Sequence, residues 1–501
     1  MATASDIFET STVADTRETP RLDTLPEEII SIINVDFLDR KDECSTRLVC
    51  RALEEKTFHD FARTHFSHLQ VLLTRDGLQR LTEISNHPRL SSVVRELVIS
   101  LAFFSDPVGD DEDDDEMDDM DDDDDGMRPA IAPEHLAAYK RFALDQHYLL
   151  SVDLGGTVYS AFCHALKNFS KCESIGLQRW PRGLGKSAFN RACGTYFRPC
   201  KSLYRIQHLG MGLFQLLWRA VAESKASITR FAMGAPNTQG DQISFEPNIF
   251  CCPDHRLPDL RVALKNLTQL QLNVDLDSLS LRLYRLSFHQ FLECAENLEI
   301  LHLDFGLMNN DDAFKHLLGP SDDLASIKHP PVKELFINNA DNLENSVMRG
   351  FVGLFASSLE GLHLHTVELH NTWKDDVPFF REKLRLKQFC MKSCTDEDNA
   401  GMMLMAHRSW LEMRVGCTCP HTIEYEGTEM DEYLKDLADR MVYVHGIGMR
   451  VGWMHGDVDE YDTQLDEDEG SNGSDWEDAS EAEGDDDDDD DVPDLVDEPD
   501  D

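Results

Sequence analysis

The side chains best suited to chemistry in this sequence are cysteines and histidines, and metal binding is the first chemistry to test. Cys417-Thr418-Cys419-Pro420-His421 puts three soft ligands within five residues, with Cys390 and Cys394 upstream. Zinc sites usually draw four ligands from paired, well-spaced elements. Here the C-x-C step lacks a second pair, and no metal is expected. His363 and His365 share one strand face, but His302 falls two strands away, roughly 10 Å for strands ~4.8 Å apart. One ion does not span that set. Gly183-x-Gly185-Lys186-Ser187 ends like a phosphate-binding loop, yet Trp180-Pro181 stand where that loop needs its opening glycine. Gly155-Gly156 has no such context at all. No Ser/His/Asp or Cys/His set carries a recognisable local signature. The residues point away from catalysis and cofactors and towards binding.

Charge narrows the partners. The net charge is −48 over 501 residues, but residues 110–125 and 457–501 together hold 39 Asp/Glu and no Lys or Arg, which leaves −9 on the rest. Nucleic-acid affinity rests on cations that neutralise phosphates, and an anionic membrane surface makes the same demand. Neither is expected as a partner. No apolar run reaches the ~18 residues a spanning helix needs. The opening MATASDIFETSTVADTRETP reads as neither a signal nor a transit peptide. The thirteen cysteines are scattered and odd in number, as suits reduced thiols, so the expected location is cytoplasmic, nuclear or both.

The elements that carry a binding function divide by composition. Residues 1–20 read as disordered, 21–67 as a helical module, and 68–105 as a linking helix (from Asp76, its expected cap) followed by a first strand in 93–100. Residues 106–130 form an acidic loop and 456–501 an acidic tail, both too charged and too poor in apolar surface to fold. Between them, 131–455 alternates strand-like and helix-like pieces.

In the module, Asp23 or Thr24 can cap a helix whose first turn holds Pro26, Glu27 and Glu28. Leu25, Ile29, Ile32 and Ile33 then fall on one helical stripe. After a short polar link (DRKDECST), Leu48, Val49, Ala52 and Leu53 make a second stripe, edged by Arg47 and Arg51. About 45 residues enclose little interior, so such stripes are expected to complete their burial elsewhere. Leu25-Pro26-Glu27-Glu28-Ile29, then Leu38, then Leu48-Val49-Cys50-Arg51-x-Leu53 resembles the F-box motif in both its opening and its later element. Ala52 stands where that family usually has Trp. The resemblance implies that Leu25, Pro26, Ile29, Leu48, Val49, Cys50 and Leu53 pack against a Skp-type adaptor, and through it join a cullin/RING ubiquitin ligase.

The body carries apolar residues at positions 1, 4 and 6 of recurring segments. These are Leu267, Leu270, Leu272; Leu298, Leu301, Leu303; Val332, Leu335, Ile337; Leu359, Leu362, Leu364; and Leu386, Phe389, Met391, with starts 31, 34, 27 and 27 residues apart. Weaker members precede them: Val94, Leu97, Ile99; Cys172, Ile175, Leu177; and Ile228, Phe231, Met233. Alternate strand residues point into a shared core, and helical pieces lie between the strands. The Asn or Cys usual just past the last leucine is replaced by Asp275, Gly306, Ala340 and Val367, and only Cys394 conforms. The pattern resembles divergent leucine-rich repeats.

The expected fold is therefore α plus α/β: a small F-box-like helical module, then an irregular leucine-rich-repeat-like α/β solenoid with an acidic insertion and an acidic tail. Gln271, Asn273, His302, Asp304, Phe336, Asn338, His363, His365, Cys390 and Lys392 alternate with the core residues and form the candidate substrate face. The implied role is a non-catalytic substrate adaptor that brings a protein target to an SCF-type ligase, with no cofactor. The tail, in which Ser474 and Ser480 precede carboxylates, offers a second surface for a basic protein. The alternative reading is a histone-binding, chaperone-like protein similar to the acidic leucine-rich nuclear phosphoproteins.

Overall fold

The computed structural model describes residues 22–104, 133–178, 183–193, 203–234, 245–275, 281–305, 313–319, 324, 326–370, 373–392, 394–396, 403–405 and 422–443. The lead-in 1–20, the acidic loop, the acidic tail and the Cys417/Cys419/His421 cluster lie outside them. The chain divides into two units after Ser67.

The first unit has three helices, α1 (Glu27–Phe37), α2 (Arg40–Arg47) and α3 (Arg51–Phe66). Pro26 sits immediately before α1, and Glu27 and Glu28 occupy its positive end. The expected polar link is itself α2. Asp39 Oδ1 accepts a 2.7 Å bond from the Asp42 amide, which caps that helix, and Cys50 is extended before α3 begins. Leu48 and Val49 consequently lie in the turn between helices and share no helical stripe with Ala52 and Leu53. Ile30 and Leu53 are buried. A polar bridge crosses all three helices: Asn34 Nδ2 donates to Glu43 Oε1 at 2.8 Å, and His65 Nε2 meets Glu43 Oε2 at 2.9 Å. Lys56 Nζ donates to the Leu25 carbonyl at 2.7 Å, and the Arg47 guanidinium lies 3.7 Å from the Phe61 ring centroid.

The second unit is mixed α/β. It begins with β1 (His68–Leu72), α4 (Arg75–Asn86), α5 (Pro88–Ser91), β2 (Glu96–Ser100), α6 (Pro133–Ser151), α7 (Tyr159–Asn168) and β3 (Ser174–Gln178). Then come α8 (Lys186–Cys193), α9 (Leu203–Ser224), β4 (Arg230–Met233), α10 (Leu257–Leu264), β5 (Gln269–Val274), α11 (Leu281–Cys294), β6 (Ile300–Phe305) and α12 (Ala313–Leu317). It continues with β7 (Glu334–Leu343), α13 (Asn345–Gly353), β8 (Gly361–Leu369), α14 (Asp376–Lys383) and β9 (Gln388–Lys392). Last are β10 (Thr395–Asp396), β11 (Met403–Met405), β12 (Thr422–Glu426), α15 (Met430–Arg440) and β13 (Met441–Tyr443).

Strands β1 to β9 lie side by side in chain order and run parallel, and β12 joins β9 antiparallel. A common register aligns the expected core residues. Leu97, Ile175, Phe231, Leu270, Leu301, Leu335, Leu362 and Phe389 face one another strand to strand. Leu272, Leu303, Ile337, Leu364 and Met391 form the next row. All of these are buried, as are Leu267, Leu298, Val332, Leu359 and Leu386 at the segment starts. The described helices neighbour one another along the sheet, α7 against α9, α9 against α10, α10 against α11 and α11 against α12. No described helix is long and apolar enough to cross a membrane.

Some local expectations change. β1, a short strand in which His68 and Gln70 alternate with the buried Leu69 and Val71, was not anticipated, and it makes 68–72 part of the same sheet as the body. Thr74, not Asp76, caps α4 by accepting from the Gly77 amide at 3.1 Å. Glu344 precedes α13, and the buried Asn345 in its first turn donates to Asp376 together with Arg349. Cys394 Sγ donates to the Leu364 carbonyl at 3.4 Å, a physical reason for a small donor at that position.

The phosphate-like glycines have a structural task. Leu184 pairs beside β1, its amide donating to the Gln70 carbonyl at 2.7 Å and its carbonyl accepting from the Leu72 amide at 3.0 Å. This covers part of the open edge of β1. Gly183 lies at φ +90°, and a Cβ there would meet the Gln70 carbonyl oxygen at 2.0 Å. Only glycine fits both conditions. Gly183→Ala is expected to cost ~2 kcal/mol or more in denaturant unfolding. Gly155→Ala, at a site with nothing within 4 Å of the added Cβ, is expected to be neutral or stabilising in the same measurement.

Candidate partner-binding surfaces

Two surfaces gather the residues singled out by the sequence, one on each unit. On α1 the apolar stripe is real but faces outward. Ile29 is 44% exposed, Ile32 50% and Phe37 76%, while Ile30 and Asn34 occupy the inner face. In the α2–α3 turn Leu48 is 82% and Val49 70% exposed. Pro26 is exposed, and Leu25 and Cys50 are half-buried. Leu53 corrects the expected set: it is fully buried and cannot be offered to a partner. Ile32 and Phe37 belong to the outward face and were not in that set, although Ile32, three residues from Ile29, already lay on the marked stripe.

Exposed single leucines are ordinary, but five large apolar side chains on one small unit are a concentrated cost. Burying one such side chain is worth about 1.5–3 kcal/mol. The chemistry available there is dry association with another protein.

The second surface is the sheet face opposite the leucine rows. Register places Gln271, His302, Phe336, His363 and Cys390 in one row, and Asn273, Asp304, Asn338, His365 and Lys392 in the next. The three rings of the first row stack face to face. His302 lies 3.8 Å from Phe336 at 4° between planes, and Phe336 lies 4.1 Å from His363 at 6°. Phe336 thus separates the two imidazoles. Among the described residues no cluster of His, Cys, Asp and Glu could hold a metal ion.

Exposure divides this set. Lys392 is exposed, and Gln271, His302, Phe336, Asn338, His363 and His365 are half-buried. Asn273, Asp304 and Cys390 are buried, which corrects their expected role as contact residues. Asn273 is closed in because the Gly234 backbone lies against it, so near that a Cβ on Gly234 would be 2.8 Å from its amide nitrogen. Asp304 Oδ1 instead accepts from Asn339 Nδ2 at 2.8 Å. Asn339, Asn342 and Thr366 all adopt positive φ where the β7–β8 register shifts, so the backbone bends at the end of this face. Two half-buried residues hold polar atoms without a hydrogen-bond partner among the described residues, Asn338 Oδ1 and His363 Nε2. The face therefore combines a flat aromatic strip with unsatisfied hydrogen-bonding groups.

Burial, then the neighbouring imidazoles, push His302 down to about 4, and burial followed by His365 does the same to His363. The buried His289, whose Nδ1 lies 2.9 Å from His329 Nε2, is pushed down to about 3 by burial and by that neighbour. These rings are neutral in the folded protein near neutral pH. Protons bind the unfolded chain more readily, so their contribution to stability is complete above the unfolded value near 6.5 and is lost as pH falls towards 4. Unfolding free energy is expected to drop across that window. The slope should lessen in His302→Phe and His363→Phe, as followed by urea melts at stepped pH.

Comparison with models of known protein families, and with curated proteins, finds no match to this chain.

Proposed function

We propose that the chain is a substrate receptor of the F-box type, in which the first unit docks on a Skp-type adaptor and the second holds a protein target. The observation that carries this reading is the exposure of Ile29, Leu48 and Val49, at 44%, 82% and 70%, at the motif positions where an F-box meets its adaptor. A fold that needed these residues for its own core would have enclosed them. Ile32 and Phe37 extend the same apolar offering along α1.

The in-register leucine rows support a reading of the second unit as divergent leucine-rich repeats. In that reading the ring strip His302–Phe336–His363 and its half-buried neighbours Gln271, Asn338 and His365 are the target-binding surface, with Lys392 at its edge. The chain itself performs no catalytic step and serves to bring the target to the ligase.

Affinity capture of the tagged full chain tests this. The adaptor and cullin are expected to co-purify, and Leu48→Glu with Val49→Glu should abolish their recovery while unfolding stability changes by less than ~0.5 kcal/mol. Recovery of histones instead, lost on deleting 457–501, would favour the acidic-tail reading.

A further inference from the structure

A cavity of 290 Å³ lies in the second unit among α9, the turn Pro247–Phe250, α10 and α11. Its inner wall is built from Phe214, Trp218, Phe250 and Phe291, all at least nine-tenths buried. The rings fix one another: Phe214 and Phe291 centroids are 5.7 Å apart, Phe250 and Phe291 5.2 Å, and Phe214 and Trp218 5.9 Å. The Trp218 indole N–H is buried and has no acceptor among the described residues. Among the described residues, none of the sheet face named above lines this site.

The rim has the opposite character. Arg219 and Arg256 are exposed at it. Arg219 rests over the Tyr159 ring at 4.4 Å, and neither guanidinium forms an ion pair among the described residues. Asp259 also lines the rim, and Asp254 shares the short turn Asp254–Arg256 with Arg256. Two cations that form no ion pair among the described residues, set beside an aromatic cavity, need a reason. A rigid apolar wall with a few placed polar groups is the usual make-up of a small-molecule site. At 290 Å³ the cavity is at the small end of such sites, which run from about 300 Å³ upward, and it is too small for a nucleotide cofactor.

We propose that this cavity binds a small carboxylate with an aromatic or branched apolar body. The body lies against Phe214, Trp218, Phe250 and Phe291, and the carboxylate meets Arg256 and Arg219. Burial of the body supplies affinity, and the guanidinium pair selects the acid over its neutral analogues.

Isothermal titration of the full chain with 3-phenylpropionate, and separately with 3-phenylpropanamide, tests the proposal. The acid is expected to bind about tenfold more tightly than the amide. Arg256→Gln should bring the acid down to the amide's affinity with no change in thermal unfolding, and adding Arg219→Gln should leave the two ligands equal while costing the contact with Tyr159. Leu260→Trp, which intrudes from the cavity wall, should weaken both ligands. Equal binding of acid and amide, acid affinity unchanged by Arg256→Gln, or no heat from either compound at millimolar concentration would each overturn it.

Discussion

One register shared by nine parallel strands decides what each side chain of the second unit does. Because the pleat alternates, fixing Leu270 opposite Leu301, Leu335 and Leu362 also fixes His302 beside Phe336 and His363 on the other face. A slip by one residue would turn the leucines to solvent and the histidines inward. The aromatic strip is thus a consequence of core packing, and its near-parallel rings follow from neighbouring strands presenting the same position. Glycine at 183 serves the same order, letting a neighbouring segment pair beside the first strand.

The first unit is governed by a different constraint, its size. Three short helices enclose Ile30 and Leu53 and use Asn34, Glu43 and His65 to tie the helices together through hydrogen bonds. Those bonds hold the helices without consuming the remaining apolar side chains. Ile29, Ile32, Phe37, Leu48 and Val49 stay at the surface, where association is the process that removes them from water. The proposed adaptor docking uses surface that the unit's own fold leaves over.

The leucine rows were legible because spacing at positions 1, 4 and 6 repeats often enough to reveal strand alternation even where the intervals vary. β1 was not: His68–Leu72 alternates for only four residues and precedes the first full segment of the repeat, so nothing before it sets a spacing to match. In the first unit the helical stripe of Ile29 and Ile32 was legible, and its outward direction was expected from the small size of the unit, not from the periodicity. Periodicity groups residues on a face without saying whether that face looks inward, and Ile30 decided the matter through packing. The helix Arg40–Arg47 escaped notice because its composition is polar and its stability comes from the Asp39 cap. Burial of Asn273 and Asp304 depends on Gly234 and Asn339, which approach from neighbouring segments and leave no local mark. The aromatic cavity likewise joins residues from 214 to 291 that no motif connects.

The proposed docking surface is tested most directly by hydrogen–deuterium exchange of the full chain with and without purified adaptor. Protection is expected in peptides covering Glu27–Phe37 and the turn at Leu48-Val49, with the sheet strands unchanged. Unaltered exchange in both peptides at saturating adaptor, or protection confined to the second unit, would contradict it.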